Sequence, residues 1–450
     1  MTSICAAAQI WFSNQTMLLD AQTNQEALGK TQGLMETHAA QARADFSSLA
    51  AQSLNDDIYS EIFSISGDDD YIKEARAETD WQSGFGSRGE QVALNTELTD
   101  WHNAEGLSTC DQSLAGDWQH PGLVKFYNLG LVNPVTDIDV LGKKLYLTAN
   151  SPTSTYPDLY IVDVSDSANP ALISSTSTGP GFNAIHVGRR YAYAANSSLT
   201  GQLEILDVSD PAHVQLTKKY RLADVSGGTG VGKSVFYANK KVYLGTEKND
   251  GPEFFVIDVS NPHTPVVLGE WEVGSEVNSI LVHNGLAYVT NAAQQELLVL
   301  DVGSLPVISL KGSFSASGWS NQYGKSLFLK NGRAYFGRTN TGINSTVNHE
   351  FFNLDVSNPA VPAETSSIDL PGTSVNDILL RGDLAFTASG NSSKELQLFD
   401  VHDPASISSY ADLDLPAKAT ALDCEGNLLY LAHDSGGSGQ DGFSIVGPAE

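Results

Sequence analysis

The stretch LYIVDVSDSANP, Leu159–Pro170, contains an apolar run that ends in aspartate, and the chain repeats it. Five related copies are LEILDVSDPAHV, FFVIDVSNPHTP, LLVLDVGSLPVI, FFNLDVSNPAVP and LQLFDVHDPASI, which begin at Leu203, Phe254, Leu297, Phe351 and Leu396. Successive copies lie 43 to 54 residues apart, counted between their shared acids Asp163, Asp207, Asp258, Asp301, Asp355 and Asp400. A repeat of this length with several short strands per copy is typical of a β-propeller.

Each copy divides into four strands. A hairpin precedes the aspartate-bearing strand, and a Ser/Asn/Asp/Pro-rich turn with a more polar strand follows it. Six copies are complete, whereas Thr420–Gly447 begins a seventh that stops one strand short. GLVKFYNLG, Gly122–Gly130, resembles the missing fourth strand. The sequence therefore predicts an all-β, seven-bladed β-propeller over residues 119–450, with four-stranded antiparallel blades and a ring closed by an N-terminal strand.

The runs IVDVSD and VIDVSN resemble the LVIVD repeats of a family of bacterial and archaeal proteins, over about residues 120 to 447. The resemblance implies a seven-bladed propeller in a secreted or cell-surface protein. It implies little about activity, because propellers host many functions. The expected function is a non-enzymatic module that binds a surface protein or a glycan and is tethered or assembled through a helix in residues 1–58.

Two segments precede the predicted propeller. Residues 1–58 are expected to form a long helix over 7–58, because that stretch lacks proline and is rich in Ala, Gln, Leu and Glu. The acidic segment 59–118, with Trp81, Trp101 and Trp118, is expected to form short helices and loops. A helix followed by a β-rich domain is similar in outline to pilin-like subunits, although their long hydrophobic anchor is not matched. A filament subunit that self-associates through residues 1–58 is therefore an alternative function.

Composition excludes some partners. The chain has 25 Lys and Arg against 53 Asp and Glu, a formal net charge of −28, and should repel nucleic acid and anionic lipid. No apolar run reaches the roughly 18 to 20 residues that cross a bilayer. Ile4–Phe12 lacks the basic flank and cleavage site of a signal peptide. We expect an extracellular, cell-surface or periplasmic protein that is either soluble as written or has had a leader or anchor removed.

The stretch GGTGVGKS, Gly227–Ser234, matches the phosphate-binding pattern G-x-x-x-x-G-K-[ST]. A phosphate-binding loop must open a helix. The following VFYANKKVYLGTE instead predicts a hairpin with its turn at Asn239 and Lys240, and QYGKSLFLKNG repeats the end of the motif at Lys325. We interpret GGTGVGKS as the loop that enters the third blade.

Alignment of the hairpins places one residue at the start of each innermost strand, where the seven would surround one mouth of the central channel. These residues are Thr136, Asn183, Lys233, Asn278, Lys325, Asn376 and Thr420. Such a ring could bind a small anionic or sugar-like ligand, or it could hold ordered water. Long loops are expected on the same face, at Ala149–Asp158, Thr246–Glu253, Gly337–Glu350 and His433–Gly442. Trp319 is either a partner-binding anchor there or a packed aromatic residue.

Two of the three cysteines could staple the ring. Cys424 lies in the seventh blade and Cys110 precedes the strand that should complete it, so we predict a disulfide, with two free cysteines as the alternative. A disulfide would imply an oxidising compartment.

Signs of catalysis are few. The sequence lacks the G-x-S-x-G and H-E-x-x-H motifs, and His186 and His283 are expected to be surface or half-buried residues. The repeated aspartates are expected to hold turns. No cofactor is expected; Gly67–Asp70, GDDD, is at most a weak Ca²⁺ contact, and any metal site is unknown. A hydrolase or lyase with its site at the channel mouth is the remaining alternative.

Overall fold

The computed structural model describes residues 19–44, 49–56, 59–66, 72–82, 89–99, 110, 114–131, 134–150, 156–188, 190–225, 230–317, 323–339, 349–436 and 439–449. The chain divides into two compact units, Met1–Leu107 and Ser108–Glu450. Among the described residues, no helix is both long enough and apolar enough to span a membrane.

The described part of the first unit is a helix packed on a four-stranded antiparallel sheet. Helix α1 spans Leu19–Ala44, and the strands are β1 (Gln52–Asp56), β2 (Tyr59–Ser66), β3 (Ile72–Gln82) and β4 (Gly89–Thr99), paired in that order. The helix contributes Leu34, Met35 and Ala39 to a core with sheet residues that include Phe63 and Leu94. The unit therefore has a hydrophobic core of its own.

This unit corrects two expectations. The helix is shorter than the expected 7–58, because Gln52–Asp56 is a strand. After residue 59, the described part of the unit consists of three long strands instead of the expected short helices and loops. Along β3, Ala75 and Ala77 are buried whereas Arg76 and Glu78 form an ion pair at the surface. The acidic residues therefore belong to the solvent face of a sheet whose other face is covered by α1.

The described part of the second unit contains seven four-stranded antiparallel sheets, which are the blades. The strands are β5 (Asp117–Leu131), β6 (Val135–Leu141), β7 (Lys144–Ala149), β8 (Leu159–Asp163), β9 (Ala171–Thr176), β10 (Phe182–Val187), β11 (Tyr191–Asn196), β12 (Leu203–Asp207), β13 (Gln215–Tyr220), β14 (Gly232–Ala238), β15 (Lys241–Thr246), β16 (Phe254–Asp258), β17 (Val266–Trp271), β18 (Val277–His283), β19 (Leu286–Asn291), β20 (Leu297–Asp301), β21 (Ser309–Phe314), β22 (Gly324–Lys330), β23 (Arg333–Arg338), β24 (Phe351–Asp355), β25 (Ala363–Ile368), β26 (Val375–Arg381), β27 (Leu384–Ser389), β28 (Leu396–Asp400), β29 (Ser408–Leu413), β30 (Lys418–Glu425), β31 (Leu428–Asp434) and β32 (Asp441–Ala449). Blades 1 to 6 are β6–β9, β10–β13, β14–β17, β18–β21, β22–β25 and β26–β29; blade 7 is β30–β32 with β5.

The ring closes as the sequence predicts. The first strand of each blade contacts the first strands of both neighbouring blades, including β30 with β6. Strand β5 pairs antiparallel with β32 and includes the predicted Gly122–Gly130. Its Trp118 is buried and packs edge-on against Phe386 of blade 6, with the ring centroids 5.1 Å apart. The closing strand is therefore held by two blades.

Burial explains why each repeat folds as a blade. The strand that ends in the repeated aspartate has four buried residues and then a half-buried acid in blades 1 to 6, as in Leu159–Asp163. The fourth strands are mainly exposed or half-buried, which matches their polar sequences. The predicted turn at Asn239 and Lys240 is present, and both residues have positive φ, as a two-residue hairpin turn of this type requires.

Candidate functional site

The seven predicted ring residues are structurally equivalent. In every blade, the pairing of the first strand with the second shifts register at this residue, so that it is the extra residue of a β-bulge. The seven are Thr136, Asn183, Lys233, Asn278, Lys325, Asn376 and Thr420. We call them the bulge ring.

Five members of the bulge ring link their blade to the next one. Each donates a side-chain hydrogen bond to the backbone carbonyl directly before the next blade's bulge residue, at distances of 2.6 to 2.9 Å. The pairs are Thr136 to Phe182, Asn183 to Gly232, Asn278 to Gly324, Asn376 to Ala419 and Thr420 to Val135. The last pair connects blade 7 to blade 1. These side chains therefore have a structural role.

In blades 3 and 5, where the bulge residue is a lysine, the serine that follows it makes the hydrogen bond to the next blade. Ser234 Oγ donates to the Val277 carbonyl at 2.9 Å, and Ser326 Oγ donates to the Val375 carbonyl at 2.9 Å. Both serines lie opposite a glycine on the neighbouring strand. A Cβ at Gly337 would meet Ser326 Oγ and the Val375 side chain, so the glycine provides the space that the hydroxyl uses.

The ammonium groups of the two lysines lie in a mixed polar environment. Lys233 Nζ is 3.5 Å from Glu276 and 3.9 Å from Glu247. Lys325 Nζ donates to Asn376 Oδ1 at 2.5 Å. Burial lowers the pKa of Lys325, and the nearby charge of Lys233 lowers it further. The positive charges of Lys233 in blade 3 and Lys325 in blade 5 therefore repel each other, although blade 4 lies between them in the sequence.

Four half-buried aspartates lie on the first strands of blades 6, 7 and 1. Each accepts a backbone N–H bond from the next blade: Asp377 from Leu422, Asp423 from Val140, Asp137 from Ile185, and Asp139 from Val187, at 2.7 to 2.9 Å. Burial raises the pKa of Asp137 to about 6 and the pKa values of Asp139 and Asp377 to about 7. Burial also raises the pKa of Asp423 well above its ordinary value. Sequence reasoning did not identify this group.

The predicted disulfide is present in the structure. Cys110 and Cys424 are bonded, with 5.2 Å between their Cα atoms, and both are buried in the core that joins blades 6 and 7. The backbone of Cys110 also pairs with Gly426 in an isolated parallel β-bridge. The covalent link therefore fixes the chain just before the closing strand to the blade that this strand completes.

The repeated aspartates hold turns, as the sequence analysis expected. Asp163 Oδ1 accepts the N–H of Ser165 at 2.9 Å, and the five equivalent acids accept the N–H two residues later in the same way. These acids therefore terminate strands rather than form a shared site.

A second repeated position, occupied by an acid or an amide, was not predicted from the sequence. The residue directly before each aspartate-bearing strand is a buried Asp, Gln or Glu, and its side chain accepts the backbone N–H of the residue twenty positions later. The six are Asp158, Gln202, Glu253, Glu296, Glu350 and Glu395. Glu296 also receives a buried hydrogen bond from Arg338 Nε at 2.7 Å. The available signal was an acid or amide at one fixed position in every copy.

Several candidates contribute no described site. Trp319, Gly67–Asp70 and residues 227–229 lie outside the described residues. His186 is half-buried, as expected, and burial lowers its pKa to about 4. His433 Nε2 lies 2.7 Å from Ser444 Oγ, but both side chains are fully buried, so a substrate cannot reach this pair.

Comparisons with known proteins agree with the fold. A model described as LVIVD repeat matches residues 153–178, 184–221 and 242–272, in blades 1 to 3. The chain is similar to the "putative 6-phosphogluconolactonase" of Bacteroides fragilis NCTC 9343, with a TM-score of 0.51, 10% identity, and coverage of 77% of this chain and 92% of that chain. Lower TM-scores of 0.47 and 0.45 are found for Saccharomyces cerevisiae Sqt1 (11% identity, 72% and 88% coverage) and a quinonprotein alcohol dehydrogenase-like protein of Bacteroides thetaiotaomicron (13%, 76% and 82%).

At 10% identity, the likeness to the Bacteroides fragilis protein shows a shared fold and leaves activity open. No curated protein matches the sequence. The repeat match, the seven sheets of the second unit and the propeller-like relative agree, and the chain is a β-propeller protein with LVIVD repeats.

Proposed function

We propose that this protein is a non-enzymatic interaction module that binds a surface protein or a glycan at the propeller face bearing the bulge ring. The observation that carries the proposal is the transfer of the blade-linking bond from Lys233 to Ser234 and from Lys325 to Ser326. Because the serines hold the next blade, the lysine side chains are not needed for this link and can contact a partner.

The chemistry of the ring suits a polar partner that offers both donors and acceptors. Lys233 and Lys325 supply donors, while Glu247 and Glu276 supply acceptors beside Lys233. Sugar hydroxyls and peptide groups can use both kinds of contact. The nearby carboxylates disfavour a strongly anionic ligand and favour a neutral or mixed-charge one.

An oxidising compartment is part of the proposal. The disulfide between Cys110 and Cys424 supports an extracellular, cell-surface or periplasmic location, because such bonds persist where thiols are not kept reduced. Localisation of a tagged chain in intact cells by surface labelling tests this point.

Site-specific photocrosslinking tests the binding face. A photoreactive residue is placed at position 233, at position 325 or, as a control, at position 213, where the exposed His213 pairs with Asp210 in the turn between β12 and β13, at the opposite end of the strands. We expect crosslinks to a protein or a polysaccharide from positions 233 and 325 in intact cells, and few from position 213. Equal labelling from all three positions, or labelling from 213 alone, would place any binding surface elsewhere.

A filament subunit is the second candidate, and the separate core of the first unit favours it. A unit with its own core can pack against other copies without altering the propeller. Deletion should remove residues 1–107, since a deletion of 1–58 would strip α1 from Phe63 and Leu94. We expect assemblies seen by sedimentation or electron microscopy to disappear on this deletion. Assemblies that persist would contradict the proposal. A hydrolase or lyase activity stays a prediction that no observation in the described residues favours.

A further inference from the structure

Blade 2 brings a lysine, an asparagine and a glutamate together on one of its faces. Glu204 of β12 pairs with Ala194 of β11 on one side and with Lys219 of β13 on the other. Asn196 lies two residues beyond Ala194, and residues two apart on a strand share a face. The strand register therefore places the three side chains side by side.

The three side chains converge on one carboxylate oxygen. Glu204 Oε1 accepts a hydrogen bond from Asn196 Nδ2 at 2.6 Å and an ion pair from Lys219 Nζ at 2.7 Å. The side chains of Glu204 and Asn196 are 0% exposed, and that of Lys219 is 28% exposed. The Lys219 amine and the Asn196 amide are therefore both bound to the same carboxylate oxygen, in a place from which water is largely excluded.

Local packing fixes the lysine in this position. Lys219 Nζ also donates to the Gly179 carbonyl at 3.1 Å, and the lysine stem lies against Gly201, where a side chain would collide with it. Within the described residues, Asn196 Oδ1 is buried and accepts no hydrogen bond. A buried amide oxygen without a donor is unusual in a purely structural network.

We propose that Lys219 and Asn196 form an intramolecular isopeptide bond, with Glu204 as the catalytic residue that transfers the protons. Glu204 removes a proton from the Lys219 ammonium, and the free amine attacks Asn196 Cγ. As the Nζ–Cγ bond forms, Glu204 gives this proton to Nδ2, the Cγ–Nδ2 bond breaks and ammonia leaves. Nζ loses its second proton to the same carboxylate, from which the departing ammonia takes it as ammonium. An alkylammonium and a primary amide thus become a secondary amide and ammonium, so the reaction needs no oxidant or cofactor.

The position of Glu204 matches this task. One of its oxygens lies between the nitrogen that must lose a proton and the nitrogen that must gain one, which is the geometry of a general acid and base. Burial raises the pKa of Glu204, which helps it to hold the proton during the transfer. The product would join the end of β11 covalently to β13 across β12.

Blade 3 provides an internal comparison. Lys248 Nζ contacts the buried Glu253 at 2.7 Å, much as Lys219 contacts Glu204. The neighbouring Asn249 Nδ2, however, donates to Thr246 Oγ1 and to two backbone carbonyls rather than to this carboxylate. The amide is not bonded to the proton carrier, so no bond is expected at Lys248.

Mass spectrometry of the purified, reduced, full-length protein tests the proposal. We expect an intact mass lower than the sequence mass by one ammonia. Trypsin cleaves after Arg190, Lys218 and Arg221, so the digest should contain Tyr191–Lys218 linked to Lys219–Arg221. An unmodified intact mass, or these two peptides only as separate species, overturns the proposal. An ammonia loss that maps to another asparagine overturns it as well.

Variants test the assigned roles. Glu204→Gln and Lys219→Arg preserve side-chain size, and both are expected to abolish the linked peptide while circular dichroism confirms folding. Lys248→Arg is the matched control and should retain the full ammonia loss. If Glu204→Gln forms the link as completely as the unsubstituted protein, Glu204 is not the catalyst. The mass of the folded, unsubstituted protein shows by itself whether the link forms, so the test does not depend on the folding of any variant.

Discussion

Blades 1 and 6 bind the next blade with different residues from those that blades 3 and 5 use. In blade 6, Asn376 holds the next blade's carbonyl and the following Asp377 holds its N–H. Blade 1 does the same with Thr136 and Asp137. In blades 3 and 5 the corresponding pairs are Lys-Ser, and the serine holds the carbonyl.

The difference shows where the ring has freedom to vary. A two-residue unit must provide a contact to the next blade, but either residue can provide it. Where the first residue does so, the second can be an aspartate that bears the cost of burying a carboxyl group. Where the second residue does so, the first is available for another task. This is why the lysines, rather than the asparagines, are the binding candidates.

The largest expected effect comes from opening the ring beside these units. Replacing Cys110 and Cys424 with alanine should lower the free energy of unfolding by about 2 to 5 kcal/mol, because the disulfide closes a very long loop. Chemical denaturation of the double variant measures this loss. Alanine at Cys5, which lies outside the described residues, is the control. An unchanged midpoint for the double variant would mean that the hydrogen bonds between blades hold the closure unaided.

Removing the serines should matter more than removing the lysines. Ser234→Ala with Ser326→Ala should cost about 1 to 2 kcal/mol per site, because each leaves a buried carbonyl without its donor. Lys233→Met with Lys325→Met should cost less than about 1 kcal/mol in total. Gly337→Ala should resemble Ser326→Ala, since the added methyl group occupies the position of the hydroxyl. Denaturation midpoints that rank the lysine pair above the serine pair would contradict the assigned roles.

The sequence predicts the repeat but not the contacts between repeats. Alignment of the hairpins identifies all seven bulge residues, because each copy carries the same local pattern. The acceptor of Ser326 is 49 residues away in the next blade, and no local pattern reveals it. Gly337 is likewise informative only after the register is known. In the first unit, an acidic strand face concealed the alternation of Ala75 and Ala77 that the helix covers.

The aspartate blades should differ from the serine blades in their response to pH. Burial raises the pKa of Asp137 to about 6 and that of Asp377 to about 7, from 3.8. The folded protein therefore binds extra protons, and the contribution of these groups to stability falls as pH rises from about 4 to about 7. Asp377→Asn keeps an acceptor for Leu422 without the charge. Its stability relative to the unsubstituted protein should rise by up to about 4 kcal/mol between about pH 4 and pH 8, because each unit by which the pKa is raised corresponds to about 1.4 kcal/mol.

Paired denaturation curves at several pH values measure this difference. The comparison cancels the histidines, whose pKa values burial lowers to about 4 at His186 and His433. Ser326→Ala is the control, and its cost should not vary with pH. If Asp377→Asn tracks the unsubstituted protein at every pH, then Asp377 does not retain a proton in the folded state.

The smallest expected effect is the most discriminating one. Lys325→Asn gives blade 5 the bulge residue of blades 2, 4 and 6, and should change stability by less than about 0.5 kcal/mol, because Ser326 still holds the Val375 carbonyl. In a Ser326→Ala background the same substitution should restore most of the lost stability, since the new amide can donate to that carbonyl as Asn278 does to Gly324. A double-mutant cycle measures this coupling. Independent, additive effects would show that the two positions do not share one contact, and that Ser326 does not relieve Lys325 of a blade-linking role.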